Sequence, residues 1–188
     1  MDTSFDQLEK DIEQIKDEFY GSSGKNLFFK KQQKFDCATQ IMTRLPLELL
    51  LRKTCRILPE HRLVYIDYTI LKSYATPEVF DHITDYIIHV FHNFNAEYGF
   101  LEVALNLDTF TVSAAERYKS IITIFCDKCF QHQTGFSNIL TKFSVYNIPR
   151  TFDAMLPALI PLVIDEVKAK VRLHNKAESE PILRQFGI

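Results

Sequence analysis

The chain reads as an α/β protein with a mixed, largely parallel sheet of four to five strands flanked by helices. Two observations carry this. Four short runs rich in β-branched, aromatic and aliphatic residues, near Leu63, Phe100, Phe143 and Lys170, have the composition of strands. Longer runs with apolar residues three and four apart lie between them, long enough to be helical crossovers between parallel strands. A chain of 188 residues can bury a sizeable core. It divides into an N-terminal helical segment, 1–60, and an α/β part, 61–188.

In chain order, residues 4–19 form the first helix. Phe5, Leu8, Ile12, Ile15 and Phe19 make a narrow apolar stripe, and Ser4 is placed to cap it. The stripe suits docking on the body of the protein. Its coiled-coil-like spacing also suits pairing with a second copy, which would give a homodimer, although it is too short to hold a coil alone. Gly21-Ser-Ser-Gly24 reads as a flexible joint. Beyond it, Lys25, Phe28, Phe29, Lys30 and Lys31 form a basic-aromatic cluster. Its two readings are a helix start with inward aromatics and a peripheral contact with an anionic membrane surface. Helices over 34–44 and 46–57 follow, separated by Pro46 and ended by Pro59.

Leu63–Tyr68 is the first strand. Thr76-Pro77-Glu78 opens a helix running to about Phe94, with Thr76 as cap and Pro77 at the first position. His82, His89 and His92 lie along it without a metal-site spacing. Phe100–Leu107 is the second strand, ended by Asp108. Ser113 is placed to cap a helix from Ala114 to about Phe130, and Gln131–Ser137 is a loop. The third strand holds Phe143, Val145 and Tyr146 and is ended by Asn147 and Pro149. Thr151 then caps an apolar helix, over about 150–164, carrying Phe152, Met155, Leu156, Leu159 and Ile160 and broken by Pro157 and Pro161. Lys170–His174 is the fourth strand, and 180–188 forms a short last helix.

The net charge of −2 gives no electrostatic case for nucleic acid. The start of the sequence lacks a secretory signal pattern and no apolar run is of spanning length, which points to the cytoplasm. The aromatic share of 13%, with Phe 16, Tyr 8 and Trp 0, suits a large core or a lined cavity. Cys126-Asp-Lys-Cys129 sits inside a helical pattern rather than at the turn opening a helix. It reads as two helix thiols rather than a redox pair, and no second pair completes a zinc site. No nucleophile elbow, phosphate loop or dinucleotide fingerprint is present, so no enzyme activity and no cofactor are expected.

The run from Phe143 onward resembles the CRAL-TRIO domain of lipid-exchange proteins, of the secretory phosphatidylinositol-transfer type. That family has a strand ending in Asn-x-Pro, an apolar helix, a proline, and a Lys-Val or Lys-Ile opening the next strand. Asn147, Pro149, Pro161, Lys170 and Val171 follow that order. The resemblance extends more loosely back to about Leu63, and Leu107-Asp108 fits a family strand that ends in aspartate. It implies that 150–164 is a gate over a pocket for a lipid or other small hydrophobic molecule, which the protein would exchange between membranes. It also implies that Lys170 matches a headgroup lysine. The Pro-Glu-Arg turn that completes the family's phosphatidylinositol site is replaced by Ser137-Asn138, so what carries over is a general apolar ligand. The ligand-free alternative is the divergent BCH branch, which works as an interaction scaffold and self-associates.

Period two splits each strand into two faces. Val64, Ile66, Leu101, Val103, Leu105, Leu107, Phe143, Val145, Val171 and Leu173 form an apolar set that should pack under helices. Tyr65, Asp67, Glu102, Asn106, Ser144 and Tyr146 belong to a mixed set, which either looks into the pocket under the gate or is a solvated face. With Phe152, Met155, Leu156, Leu159 and Lys170, these six are the candidate ligand-binding residues.

Overall fold

The structure is a computed structural model and describes residues 3–24, 29–130, 135–159, 161 and 163–188. A five-stranded sheet is built in chain order: β1 (Cys55–Leu58), β2 (Leu63–Asp67), β3 (Leu101–Asn106), β4 (Leu140–Ile148) and β5 (Val171–Asn175). β1 pairs antiparallel with β2, and every other pair is parallel, with Val64 opposite Val103, Val103 opposite Phe143 and Phe143 opposite Val171. The expected mixed, largely parallel α/β sheet is therefore present.

The N-terminal helices are α1 (Thr3–Ser23), α2 (Lys30–Arg44) and α3 (Leu47–Thr54). Residues 21–23 are not a joint. They complete α1, which stops at Gly24, where φ is 63° and the Gly24 N–H donates to the Tyr20 carbonyl at 3.0 Å. The helix expected over 46–57 ends at Thr54, because Cys55–Leu58 pair with β2 through a tight turn at Pro59–His61. Ile57 fits a helical stripe in the sequence, but opposite Val64 its backbone joins the sheet ladder instead.

The boundary at 60/61 thus falls inside a β-hairpin. One core crosses it. Leu8, Ile12 and Ile15 of α1, Ile41 of α2 and Leu50 of α3 are buried in the same cluster as Val64 and Val103. The α1 stripe is taken up within its own chain.

Between β2 and β3 run α4 (Tyr68–Tyr74), absent from the sequence reading, and α5 (Phe80–Tyr98). α4 starts because Asp67 caps it, and α5 follows a turn of 3-10 helix at Pro77–Val79. α5 ends at Gly99, with φ 79°. Thr111, not Ser113, caps α6 (Val112–Arg117): its Oγ1 accepts from the Ala114 N–H at 3.2 Å. α7 (Lys119–Phe130) and the short α8 (Phe136–Ile139) lead into β4.

The segment after β4 is more broken than a kinked helix. Its described residues include a 3-10 turn at Phe152–Ala154, α9 (Leu156–Leu159) and α10 (Asp165–Lys168), with Thr151 making no side-chain cap. The last helix, α11 (Lys176–Gln185), starts four residues earlier than expected. Asn175 and Glu178 form a capping box there.

The two sheet faces differ as their residues demand. The apolar face packs under α4, α5 and α7, with Val64, Val103, Phe91 and Ile121 in its core. The other face carries a smaller cluster of Leu63, Tyr65, Ala104, Tyr146 and Leu183, with Ile182 and Phe186 of the α11 region against it. Among the described residues no helix is long and apolar enough to cross a membrane.

Candidate ligand site

At the carboxyl ends of β2, β3 and β4 the side chains make one polar network. Asp67, the last residue of β2, accepts from the Thr69 N–H at 2.7 Å and from Thr69 Oγ1 at 2.6 Å. Its second oxygen faces the Tyr65 hydroxyl at 3.3 Å. Asn106 ends β3. Its amide nitrogen donates to the Tyr65 hydroxyl at 3.1 Å, and its carbonyl oxygen accepts from the Asp108 N–H at 3.0 Å and from Asn147 Nδ2 at 2.8 Å. Tyr65, Asp67 and Asn106 are all buried, and pairing is what makes such burial tolerable. Burial, with Asp67 close by, pushes the Tyr65 hydroxyl well above the ordinary tyrosine range. Three of the mixed-face residues expected at a site therefore do meet.

Two residues beside this network have left-handed backbones: Thr109 with φ 63° and Asn147 with φ 55°. Asparagine tolerates that region, whereas a β-branched threonine is strained there. Thr109 lies just beyond β3 and Asn147 is the next-to-last residue of β4, and strain of this kind collects at ligand clamps and switches.

The network floors a cleft of about 690 Å³ between the sheet edge, α1 and α4. Its other walls include Glu9, Glu13 and Lys16 of α1, Lys53 of α3, Arg56 of β1, and Thr69 and Lys72 of α4. The crevice outside the carboxyl ends of parallel strands is where open α/β sheets bind ligands. Lys53 meets Glu9 at 2.6 Å and Lys16 meets Glu13 at 2.7 Å. Lys72 is half-buried and donates to Thr109 Oγ1. Burial, then the nearby Lys16 ammonium, lowers its pKa.

The remaining candidates lie elsewhere. Glu102 stands at the amino end of β3, held by Lys142 at 3.0 Å, so the sheet itself separates it from Asp67 and Asn106. Lys170 lies at that same edge, and its ammonium donates to the Ser137 carbonyl at 2.6 Å. Tyr146 is stacked on His174, with ring centroids 4.8 Å apart and planes at 13°, and meets Phe186 edge-on. Ser144 is buried on the same face, its Oγ without a hydrogen bond among the described residues.

The mixed face is thus neither solvated nor under the gate, because α11 covers much of it. Phe152 and Met155 instead join the core on the opposite face, with Leu156 half-buried beside them. Leu159 belongs to α9, and its side chain lies outside the described residues.

Of the basic-aromatic cluster, Lys25 and Phe28 lie outside the described residues, as do Gln131–Thr134 of the expected loop. Phe29 is 70% exposed, Lys31 is exposed, and Lys30 opens α2. Cys126 and Cys129 are buried in α7, and burial pushes their thiols up to about 11 and about 12. Among the described residues no three His, Cys, Asp or Glu side chains converge to hold a metal.

Lys72, Arg56, Thr109 and Asn147 escaped the sequence reading as site residues. Arg56 and Lys72 come from elements that were read differently there, and left-handed backbone at Thr109 leaves no mark in composition. Asn147 carried a signal, its place before Ile148-Pro149, but as a strand ending. No family model matches the chain, and a search of curated proteins finds no match.

Proposed function

We propose that the protein is a non-enzymatic CRAL-TRIO-like domain that binds a lipid or other small hydrophobic molecule between the apolar face of its sheet and the segment 150–168. One observation carries this reading. The apolar face is fully covered at its β2 side, where Val64 and Val103 are both 0% exposed, but not toward β5. There Leu105, Phe143 and Val171 are half-buried, and Leu173, alongside Val145 in the ladder, is 42% exposed. Among its described residues the crossover from β4 to β5 holds short helical pieces, with Pro157 at the second position of α9 and Pro161 beyond its end, anchored by Phe152, Met155 and Val167. Proline removes the hydrogen bonds that would make such a crossover one rigid helix.

A ligand enters by displacing this segment from the half-covered floor. The apolar void beside Phe91, Cys129, Phe136 and Ile139 is only about 10 Å³, room for about one water, so uptake involves movement rather than filling of that void. Peripheral contact with a membrane through Phe29 and Lys31 fits the same reading. The test is transfer of a fluorescent acyl lipid from phosphatidylcholine vesicles removed by flotation. Saturable uptake supports the proposal, and uptake no greater than that of a non-binding control protein overturns it.

A second reading is favoured by the β5 edge. Among the described residues β5 pairs on one side only and exposes Leu173, which suits self-association or strand addition in a ligand-free, BCH-like scaffold.

A further inference from the structure

We propose that the open edge of β5 takes an extended segment of a partner protein as an added strand, and that this segment alternates apolar with acidic residues. The proposal rests on the reading of β5 as a protein-binding edge and specifies the partner. The Phe143 N–H donates to the Lys170 carbonyl at 3.0 Å, which fixes the alternation of the β4–β5 ladder. By that alternation Arg172 turns its backbone N–H and carbonyl to β4, and Val171 and Leu173 turn theirs outward. Among the described residues no strand lies beyond them.

Arg172 guards this edge. Its Nη1 donates to the Val171 carbonyl at 2.8 Å and to the Ala169 carbonyl at 2.9 Å, which folds the guanidinium back along the rim. Charged side chains on an edge strand oppose indiscriminate pairing. Carbonyl contacts do not neutralise a guanidinium, and among the described residues no carboxylate lies within 4.0 Å of it. A partner's carboxylate binds it more strongly, as a charge-assisted pair. The Val171 carbonyl is then free to accept from the partner's backbone.

The charge pattern favours an acidic partner over a second copy. The run from Lys168 to Lys176 holds Lys168, Lys170, Arg172, His174 and Lys176 and no acid. Of the acids on the flanking helices, Asp165 is held by Lys168 at 2.8 Å, Glu178 by the Asn175 N–H at 2.9 Å and Glu180 by Arg184, while Glu166 is exposed. An antiparallel copy of β5 centred on Leu173 sets each Arg172 opposite a His174, two basic groups on one face. Leu173 is 42% exposed on the apolar face, and Arg172 and His174 stand on the other. Period two then dictates the partner's pattern: an apolar residue beside Leu173 and carboxylates beside Arg172 and His174.

The experiment is an amide NMR titration of the full chain with a synthetic peptide of alternating valine and glutamate. A valine–lysine peptide is run in parallel, and the chain alone is examined by sedimentation. Saturable shifts along Val171–Asn175 with the glutamate peptide, together with slowed hydrogen exchange of the Leu173 amide, support the proposal. Arg172→Glu should weaken that peptide about tenfold or more and admit the lysine peptide. Leu173→Pro removes the outward N–H and should also lose binding. Lys31→Glu, exposed on α2, should leave it unchanged. Equal binding of the two peptides, undiminished binding in Arg172→Glu, or shifts without protection of the Leu173 amide overturns the proposal. A dimer that Leu173→Pro abolishes, with no peptide bound, overturns the acidic partner and keeps β5 as an interaction edge. A monomer that binds neither peptide overturns that reading as well. If Leu173→Pro loses its dispersed spectrum, Arg172→Glu decides alone.

Discussion

Asn147 Nδ2 donates to the side-chain carbonyl of Asn106 across 2.8 Å and ties the carboxyl end of β4 to that of β3. The bond exists because Asn147 takes a left-handed backbone, φ 55°, where the β4–β5 register slips between Val145 and Ile148. Asn147→Ala loses the bond, worth about 1 kcal/mol, and adds about 1 kcal/mol of backbone strain. Asn147→Gly loses only the bond. Urea unfolding should therefore rank the wild type above the glycine variant and the glycine variant above the alanine variant by about 1 kcal/mol each. An alanine variant as stable as the glycine variant would contradict the left-handed assignment.

Ile12, 2% exposed, fixes α1 to the core. Ile12→Asp buries an unpaired carboxylate and should cost about 3 kcal/mol or more, with loss of hydrogen-exchange protection along α1. Gln14→Ala, on the exposed side of the same helix, should stay within about 0.5 kcal/mol. Full exchange protection of α1 in Ile12→Asp would show that the helix does not dock this way.

The α7 thiols make stability depend on pH. Burial raises the folded-state pKa of Cys126 from 9.0 to about 11 and of Cys129 from 9.0 to about 12. Unfolded thiols lose their protons first, so above about pH 9 the folded state binds more protons than the unfolded state. The thiols' contribution is complete below pH 9 and declines as pH rises toward 11 and 12. The slope is at most about 1.4 kcal/mol per pH unit for each thiol. The double variant Cys126→Ala/Cys129→Ala should show a flatter decline in chemical denaturation from pH 8 to 10.5. Parallel curves for the two proteins would contradict the burial of these thiols.

Phe152 and Met155 anchor the segment after β4. Phe152→Ala should cost about 3 kcal/mol. It should also hasten proteolysis within 156–168 more than elsewhere, because among the described side chains there Val167 alone is buried. Cleavage sites distributed as in the wild type would mean that the segment is not separately anchored.

Much of the fold was legible because strand and helix periodicities are strong in this chain. Val64, Ile66, Leu101 and Val103 alternate with Tyr65 and Ala104, and the structure seats the two sets on opposite faces. β1 was not legible, since Cys55–Leu58 continue the apolar spacing of α3 and only the antiparallel partner β2 makes them a strand. Neither was α4, which depends on the carboxylate of Asp67 as a cap rather than on apolar spacing.

Of the site, Tyr65, Asp67 and Asn106 could be grouped because period two puts them on one face near one strand end. Their neighbours Arg56, Lys72 and Lys16 come from β1, α4 and α1, and only the tertiary packing assembles them. A gate over the mixed face was one of the two readings of that face, the other being a solvated surface. Which face a crossover covers is a matter of connection geometry, and here Phe152 and Met155 turn to the apolar one.

The most direct measurement is native mass spectrometry of the protein purified from a eukaryotic host, with organic extraction of the same sample. The account predicts a species heavier than the 22.0 kDa polypeptide by one lipid or comparable hydrophobic molecule, released on extraction and depleted in Phe152→Ala. A bare 22.0 kDa chain with no lipid in the extract would contradict it, and a doubled mass without lipid would favour self-association.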